Sequence, residues 1–257
     1  MKNIKILIAT HKKYKMPEDK LYLPIHVGKI NKSEIGFIGD DTGENISIKN
    51  PYYCELTAIY WAWKNLDADY IGLVHYRRHF TNKRKKDKWE SVLTLAQAKK
   101  LLENNDIILP NKRNYFIETI YSHYAHTHDS SHLDFTRKII EQHTPQYLYS
   151  FDKVMKSTST HMFNMFIMRR EIFCSYCQWL FPLLEKLEQN ISIESLSGYD
   201  ARLFGRVSEF LLDVWIDANN LQYMEIGYLH LEKINWIKKI KTFLLAKLAN
   251  KKYTSSF

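Results

Sequence analysis

Residues 70–80, Tyr-Ile-Gly-Leu-Val-His-Tyr-Arg-Arg-His-Phe, constrain the fold of this chain more than any other stretch. The run opens apolar, rich in β-branched residues and of strand length, after a helix-like segment over residues 51–66. It then breaks into His75-Tyr76-Arg77-Arg78-His79. A strand that alternates with helical segments belongs to an α/β sheet, and ligands of such sheets collect beyond the carboxyl ends of the strands. Guanidinium forks at that place suit an anion, because they match phosphate oxygens two at a time. A strand ending in a solvated basic loop is the plainer reading.

The flanking sequence supplies the rest of an α/β pattern. Ile4–Thr10 reads as a buried strand followed by the polar turn His11-Lys12-Lys13-Tyr14, and residues 22–27 as a second short strand. Neither G-x-G-x-x-G nor G-x-x-x-x-G-K-[ST] follows the first strand, which argues against a dinucleotide dehydrogenase or a P-loop enzyme. Residues 36–47 hold three glycines among Asp, Asn and Ser, a loop with several positions able to take positive φ. Asp40 and Asp41 in it are able to accept sugar hydroxyls or to cap the turn. Residues 51–66 read as one continuous buried helix, with Asn50 as N-cap and Pro51 at its first position. A basic loop, a helix over 95–104 and a strand over 106–110 follow the central segment.

Residues 114–132 are dense in Tyr and His, including Tyr121, Tyr124 and His128. Their spacing offers zinc no carboxylate at helical distance. Helices are expected over 133–143 and 146–157, and a strand over 158–168 in which Asn164 is the lone amide of an apolar run. A buried amide must be hydrogen-bonded, to backbone or to a substrate hydroxyl. Helices follow over 171–189 and from within residues 197–210 to about 219, the latter bringing Arg202, Arg206 and Glu209 toward one side. A last strand is expected over 223–231.

Thirty-seven Lys and Arg against 28 Asp and Glu give a net charge of +9. Such an excess attracts nucleic acid, anionic lipid or anionic small molecules. No nucleic-acid module is present, and much of the charge is local, in 83–88 and 238–252. Residues 234–253 read as a basic amphipathic helix, suited to a bilayer interface or to packing on the protein's own core. Three cysteines offer no disulfide framework, and Cys174-Ser-Tyr-Cys177 lies in a helical pattern. No run approaches a membrane span or a signal peptide, so a cytoplasmic protein is expected.

Several stretches recur together in a known order: residues 8–14, the Gly39–Ser47 loop, Tyr53-Cys54-Glu55-Leu56-Thr57, Tyr60-Trp61-Ala62-Trp63-Lys64, Gly72-Leu73-Val74-His75-Tyr76-Arg77-Arg78 and Asn164-Met165-Phe166-Ile167-Met168. Over roughly residues 3–231 the chain resembles a family of bacterial polysaccharide-cluster glycosyltransferases that long carried only a domain-of-unknown-function label. Its members are associated with capsule and O-antigen assembly and include a β-galactofuranosyltransferase. The resemblance implies an α/β, GT-A-like single domain over residues 1–232, with a mixed, mostly parallel central sheet flanked by helices, plus a C-terminal amphipathic helix over 233–257. It implies a UDP-sugar donor, a lipid-linked oligosaccharide acceptor, no nucleic acid, and a place on the cytoplasmic face of the inner membrane. Where many GT-A enzymes carry a metal-binding Asp-x-Asp, this chain has His75-Tyr76-Arg77-Arg78, so no cofactor is required as a first reading, although Mg²⁺ or Mn²⁺ on Asp40 and Asp41 stays open. Thr10, His11, Asp40, Asp41, Asn45, His75, Arg77 and Arg78 are then expected at the nucleotide sugar. Tyr121, Tyr124, His128, Asn164 and Arg202 are expected at the acceptor, and Asp200, with Glu209 as second choice, at the acceptor proton. Two readings stand beside this one: a pyranosyltransferase of the same fold, and a non-catalytic carbohydrate- or membrane-binding module.

Overall fold

A computed structural model describes residues 2–193, 196 and 200–232. Chain order runs β1 (Ile4–Thr10), β2 (Tyr22–His26), β3 (Ile38–Gly39), α1 (Asn50–Tyr53), α2 (Leu56–Asn65), β4 (Tyr70–His75) and β5 (Arg78–Thr81). It continues through α3 (Leu95–Leu101), β6 (Ile107–Pro110), β7 (Arg113–Asn114), α4 (Ile120–Thr127), α5 (Ser131–His143), α6 (Leu148–Lys156) and β8 (Ser159–Thr160). It closes with β9 (Phe166–Arg169), α7 (Arg170–Gln189), α8 (Leu203–Ala218) and β10 (Met224–His230). The helix expected over 234–253 lies outside the described residues.

One half of the main sheet is parallel: β3, β2, β1 and β4 pair in that order. The other half turns antiparallel, because β9 inserts between β4 and β6 against the direction of both. β10 runs parallel to β6 and antiparallel to β5, whose Arg78 faces His75 and returns the pairing to the end of β4. The sheet is therefore evenly mixed rather than mostly parallel. Close passage of β9 requires Gly72, since a Cβ there would stand 2.8 Å from the Phe166 carbonyl oxygen.

Both faces of the sheet are buried, as period-2 alternation along β1 requires. Leu7 and Ala9 join the helical layer built from α2, α5, α6, α7 and α8. Ile4, Ile6 and Ile8 point to the opposite face, where they pack with Val74, Phe80, Leu93 and Ile108. α3 starts there on a full capping box, Thr94 and Gln97 each holding the other's backbone N–H.

Three local expectations are corrected, and each correction shapes the site. The helix over 51–66 is two helices, broken at Cys54, whose φ of +53° turns the chain. The Asn50 amide donates to the Cys54 carbonyl at 2.8 Å and stabilises that turn. The strand over 158–168 is also split: Phe163 and Asn164 take φ of +73° and +51° between β8 and β9. The basic run after β4 is no open loop but a tight hairpin into β5. Among the described residues no helix is long and apolar enough to cross a membrane.

Candidate active site

The hairpin sorts the His-Tyr-Arg-Arg-His run into two groups. Tyr76 and His79 turn inward and are buried, whereas His75, Arg77 and Arg78 stay partly open at the carboxyl end of β4. Burial pushes the His79 imidazole down to about 4, so it is a neutral core residue at physiological pH.

Tyr76 becomes the post of a cationic cluster. His11 stands edge-on to its ring at 5.5 Å, Lys12 lies 5.0 Å over it, Arg77 lies 5.6 Å over it, and Tyr14 packs at 5.0 Å. The His11 pKa is lowered, first by burial and then by Lys12, Arg77, Lys32 and Arg202 in turn. Lys12 and Arg77 thus share the Tyr76 ring with His11 just beyond β1 and β4. Arg77 also meets Glu232 at 3.6 Å. Beside this basin opens a cleft of about 570 Å³, lined by Lys13, Tyr14, Met16, Glu34, Ile35 and Phe37 among others.

A second group adjoins the first through Arg78 and Arg202. His75 holds the Phe163 carbonyl at 2.7 Å through Nε2. A carbonyl only accepts, so Nε2 carries the proton and Nδ1 of the neutral ring keeps its lone pair. Burial lowers the His75 pKa; Glu55 opposes this, and Arg78 reinforces it. Arg78 stacks 4.4 Å over the Phe163 ring. On α8, burial pushes Glu209 up to about 7, with the Glu55 carboxylate adding to the shift; a Phe163 backbone hydrogen bond, Arg78 and Arg113 oppose it. A carboxylic acid poised near neutrality within the field of a guanidinium is suited to exchanging a proton with a substrate hydroxyl.

Asn164 positions these groups. Its Nδ2 donates to Glu55 Oε1 at 2.7 Å and to the Gly205 carbonyl at 2.9 Å, while its Oδ1 accepts from Ser208 at 3.0 Å. The left-handed backbone at 163 and 164 therefore ties α8, the Cys54 turn and the end of β4 together. One turn further along α8, Asp213 receives Thr160 Oγ1 at 2.6 Å, the His161 N–H at 3.0 Å and the His161 imidazole. Burial pushes Asp213 up, but the bonds from His161 and Thr160 leave it below the usual range. Strain of this kind survives only where the surroundings over-determine it, and it concentrates at functional sites.

The model of the family described as domain of unknown function DUF4422 matches residues 5–220. The chain belongs to the DUF4422 family. It is also similar to a solved structure described as the apo form of the bifunctional glycosyltransferase WbbM, at 32% identity and a TM-score of 0.84. That likeness covers 90% of this chain and 46% of WbbM, so the chain spans about half of that protein. No curated protein matches it.

Within this DUF4422 chain the expected residues fall into separate places. His11, His75, Arg77 and Arg78 lie at the carboxyl ends of β1 and β4, and Arg202 and Glu209 act on them electrostatically. Thr10 is buried beside them, its hydroxyl donating to the Lys12 carbonyl at 2.7 Å and so shaping the turn that carries His11. Asp40 faces inward: its oxygens accept the Gly28 N–H at 2.8 Å, the Lys29 N–H at 3.0 Å and the Ser47 hydroxyl. Asn45 bonds the Asp41 and Gly43 carbonyls of its own loop, and Asp41 stands 4.0 Å from Lys29. Asn164 is buried and directed at protein groups rather than outward.

Tyr124 and His128 are buried among the helices, Tyr124 3.1 Å from His132 through its hydroxyl and edge-on to Phe210. Tyr121 is partly exposed and donates to Asp134 at 3.0 Å. Asp200 lies near them, 3.9 Å from His128, and its carbonyl accepts from Arg206 at 2.9 Å. Glu55, Lys12, Lys32 and Phe163 are members of the site that sequence reasoning missed. Glu55 could have been found as a carboxylate inside an otherwise apolar helical run. Cys174 and Cys177 are free thiols on one helix, and burial pushes the Cys177 thiol upward, away from redox reactivity. Among the described residues no three His, Cys, Asp or Glu side chains are grouped where they could hold a metal ion.

Proposed function

We propose that this chain is a glycosyltransferase that moves a hexose from a UDP-sugar to a glycan acceptor. The single observation that carries the reading is the gathering of His11, Lys12 and Arg77 about the Tyr76 ring at the carboxyl ends of β1 and β4. The likeness to WbbM supports the same reaction class.

In this reading the cationic basin receives the diphosphate and the adjoining cleft receives the nucleoside. Charge grows on the diphosphate oxygen as the anomeric bond breaks, and fixed guanidiniums stabilise it without reorganising. The acceptor hydroxyl attacks the anomeric carbon from the opposite face, the bond from that carbon to the diphosphate breaks, and UDP leaves with the electron pair. The hydroxyl proton passes to the Glu209 carboxylate. Glu209 suits this role better than Asp200, because it sits beside Arg78 and its pKa near 7 matches the working pH. His75 Nδ1 is the alternative acceptor of that proton. Inversion follows from this one-step displacement.

β-Galactofuranose from UDP-galactofuranose is the transfer that the resemblance favours, to a lipid-linked glycan of a capsule or O-antigen. Lys and Arg supply the neutralising charge, with Mg²⁺ or Mn²⁺ as optional additions. UDP release with UDP-galactofuranose, UDP-galactose and UDP-glucose, with and without each metal, tests the reading. Turnover with UDP-galactofuranose alone is expected, with loss in the E209Q variant. Turnover with a pyranose donor instead would move the assignment to a pyranosyltransferase of the same fold.

A further inference from the structure

The turn between β7 and α4 places two adjacent large apolar side chains in water: Phe116 is 81% exposed and Ile117 74%. Its shape is built rather than slack. Asn114 Oδ1 accepts the Phe116 N–H at 2.6 Å, and the Ile117 N–H donates to the Tyr115 carbonyl at 2.8 Å. Phe116 takes a φ of +61°, a conformation that an aromatic L-residue seldom adopts. The base is anchored: Tyr115 is buried, its N–H donates to Thr158 at 2.8 Å, and β7 pairs with β8. An aromatic pushed outward against its backbone preference, on an anchored base, is a feature held for contact.

The charged side chains that flank the knuckle in sequence are outward cations, while the exposed Asp134 carboxylate accepts the Tyr121 hydroxyl at 3.0 Å. Lys112 is exposed at its base, and Arg113 stacks 5.0 Å from the Tyr115 ring. The neighbouring carboxylate, Glu118, is buried and turned to His123 and His126, at 2.9 and 3.1 Å. Tyr121, one turn into α4, adds a partly exposed ring of mixed polarity. Apolar side chains at a tip, cations behind them and an amphipathic ring beside them match the layers of an anionic bilayer: acyl boundary, headgroup phosphates and interface.

We infer that the Phe116–Ile117 knuckle seats this protein on an anionic lipid surface, with both side chains entering the headgroup–acyl boundary and Lys112 and Arg113 meeting the phosphates. The same turn is joined to the candidate site through β8, whose Thr160 hydroxyl bonds Asp213, one turn beyond Glu209 on α8. A seated knuckle therefore presents the site to acceptors held in that surface. This last consequence rests on the proposed function; the lipid contact itself does not.

The test is partition of the full chain onto vesicles of phosphatidylethanolamine and phosphatidylglycerol, against neutral phosphatidylcholine vesicles. Wild type is expected on the anionic vesicles, and the F116S/I117S variant to lose about tenfold or more in partition. The melting temperature and any UDP-induced shift should stay as in wild type. Independently, an F116W variant should show emission quenched by acyl-brominated lipid beyond that of the native tryptophans. Equal partition of the double variant, absence of wild-type binding, or an unquenched F116W indole would each overturn the inference. Loss of UDP binding by wild type with lipid binding intact would instead sink the transferase reading and leave the lipid contact standing.

Discussion

Replacing Asn164 by alanine removes three buried hydrogen bonds at once, to Glu55, Gly205 and Ser208. The bond to the Glu55 carboxylate is charge-assisted, worth about 1.5–3 kcal/mol, and each of the other two contributes about 1 kcal/mol. Alanine is also disfavoured at the left-handed φ of +51° that asparagine tolerates, by roughly 1–2 kcal/mol. The expected loss is therefore about 4.5–7 kcal/mol, a large share of a domain's whole stability. Urea denaturation followed by tryptophan fluorescence reads it, together with a fall in melting temperature of roughly 9–28 °C. N164G relieves the backbone conflict but not the lost bonds, so it should recover only part of the deficit. A loss below about 1 kcal/mol in N164A would refute the view that Asn164 holds the site together.

Two further outcomes concern pH. Glu209 has a folded pKa near 7, above its ordinary value, so the folded state binds the extra proton and stability falls as pH rises from about 4.5 through 7. E209Q should therefore melt higher than wild type at pH 8 and lose that advantage near pH 5; thermal scans at both values check it, and a wild type at least as stable at pH 8 would contradict it. His79 has the opposite sign: its folded pKa lies at about 4, below the unfolded value of about 6.5, so its contribution is complete above 6.5 and is lost as pH falls toward 4. H79Q should flatten the stability–pH curve across that window, and an unchanged slope would remove His79 from the account.

Parts of this architecture were legible because burial leaves a pattern. β1, β4 and α7 are long apolar elements whose period follows from the faces they bury, and they lie within a residue of where periodicity put them. The position of His11, Arg77 and Arg78 at the carboxyl ends of β1 and β4 followed from their place after strand-like runs. What escaped was conformation set by distant partners. Cys54 and residues 163–164 interrupt regular-looking stretches, because one buried amide bonds residues 109 and 44 positions away in sequence. No local propensity encodes such a bond. Conversely, the Tyr and His density of residues 114–132 suggested an acceptor-binding segment, yet Tyr124 and His128 pack inward between helices. Asp40, read either as a sugar contact or as a turn cap, closes its own loop through Gly28, where Asn50 leaves no room for a Cβ.

The central claim is that the His11–Arg77 basin binds a nucleoside diphosphate. Thermal stabilisation by UDP, in EDTA and then with Mn²⁺ or Mg²⁺, on wild type and R77A, tests it directly. At UDP near one hundred times its Kd, a ligand that binds only the folded state adds about 2.7 kcal/mol, or roughly 5–11 °C for a chain of this size. The account predicts that shift in wild type, present in EDTA and lost in R77A. An equal shift in R77A, or no shift under any condition, would contradict it.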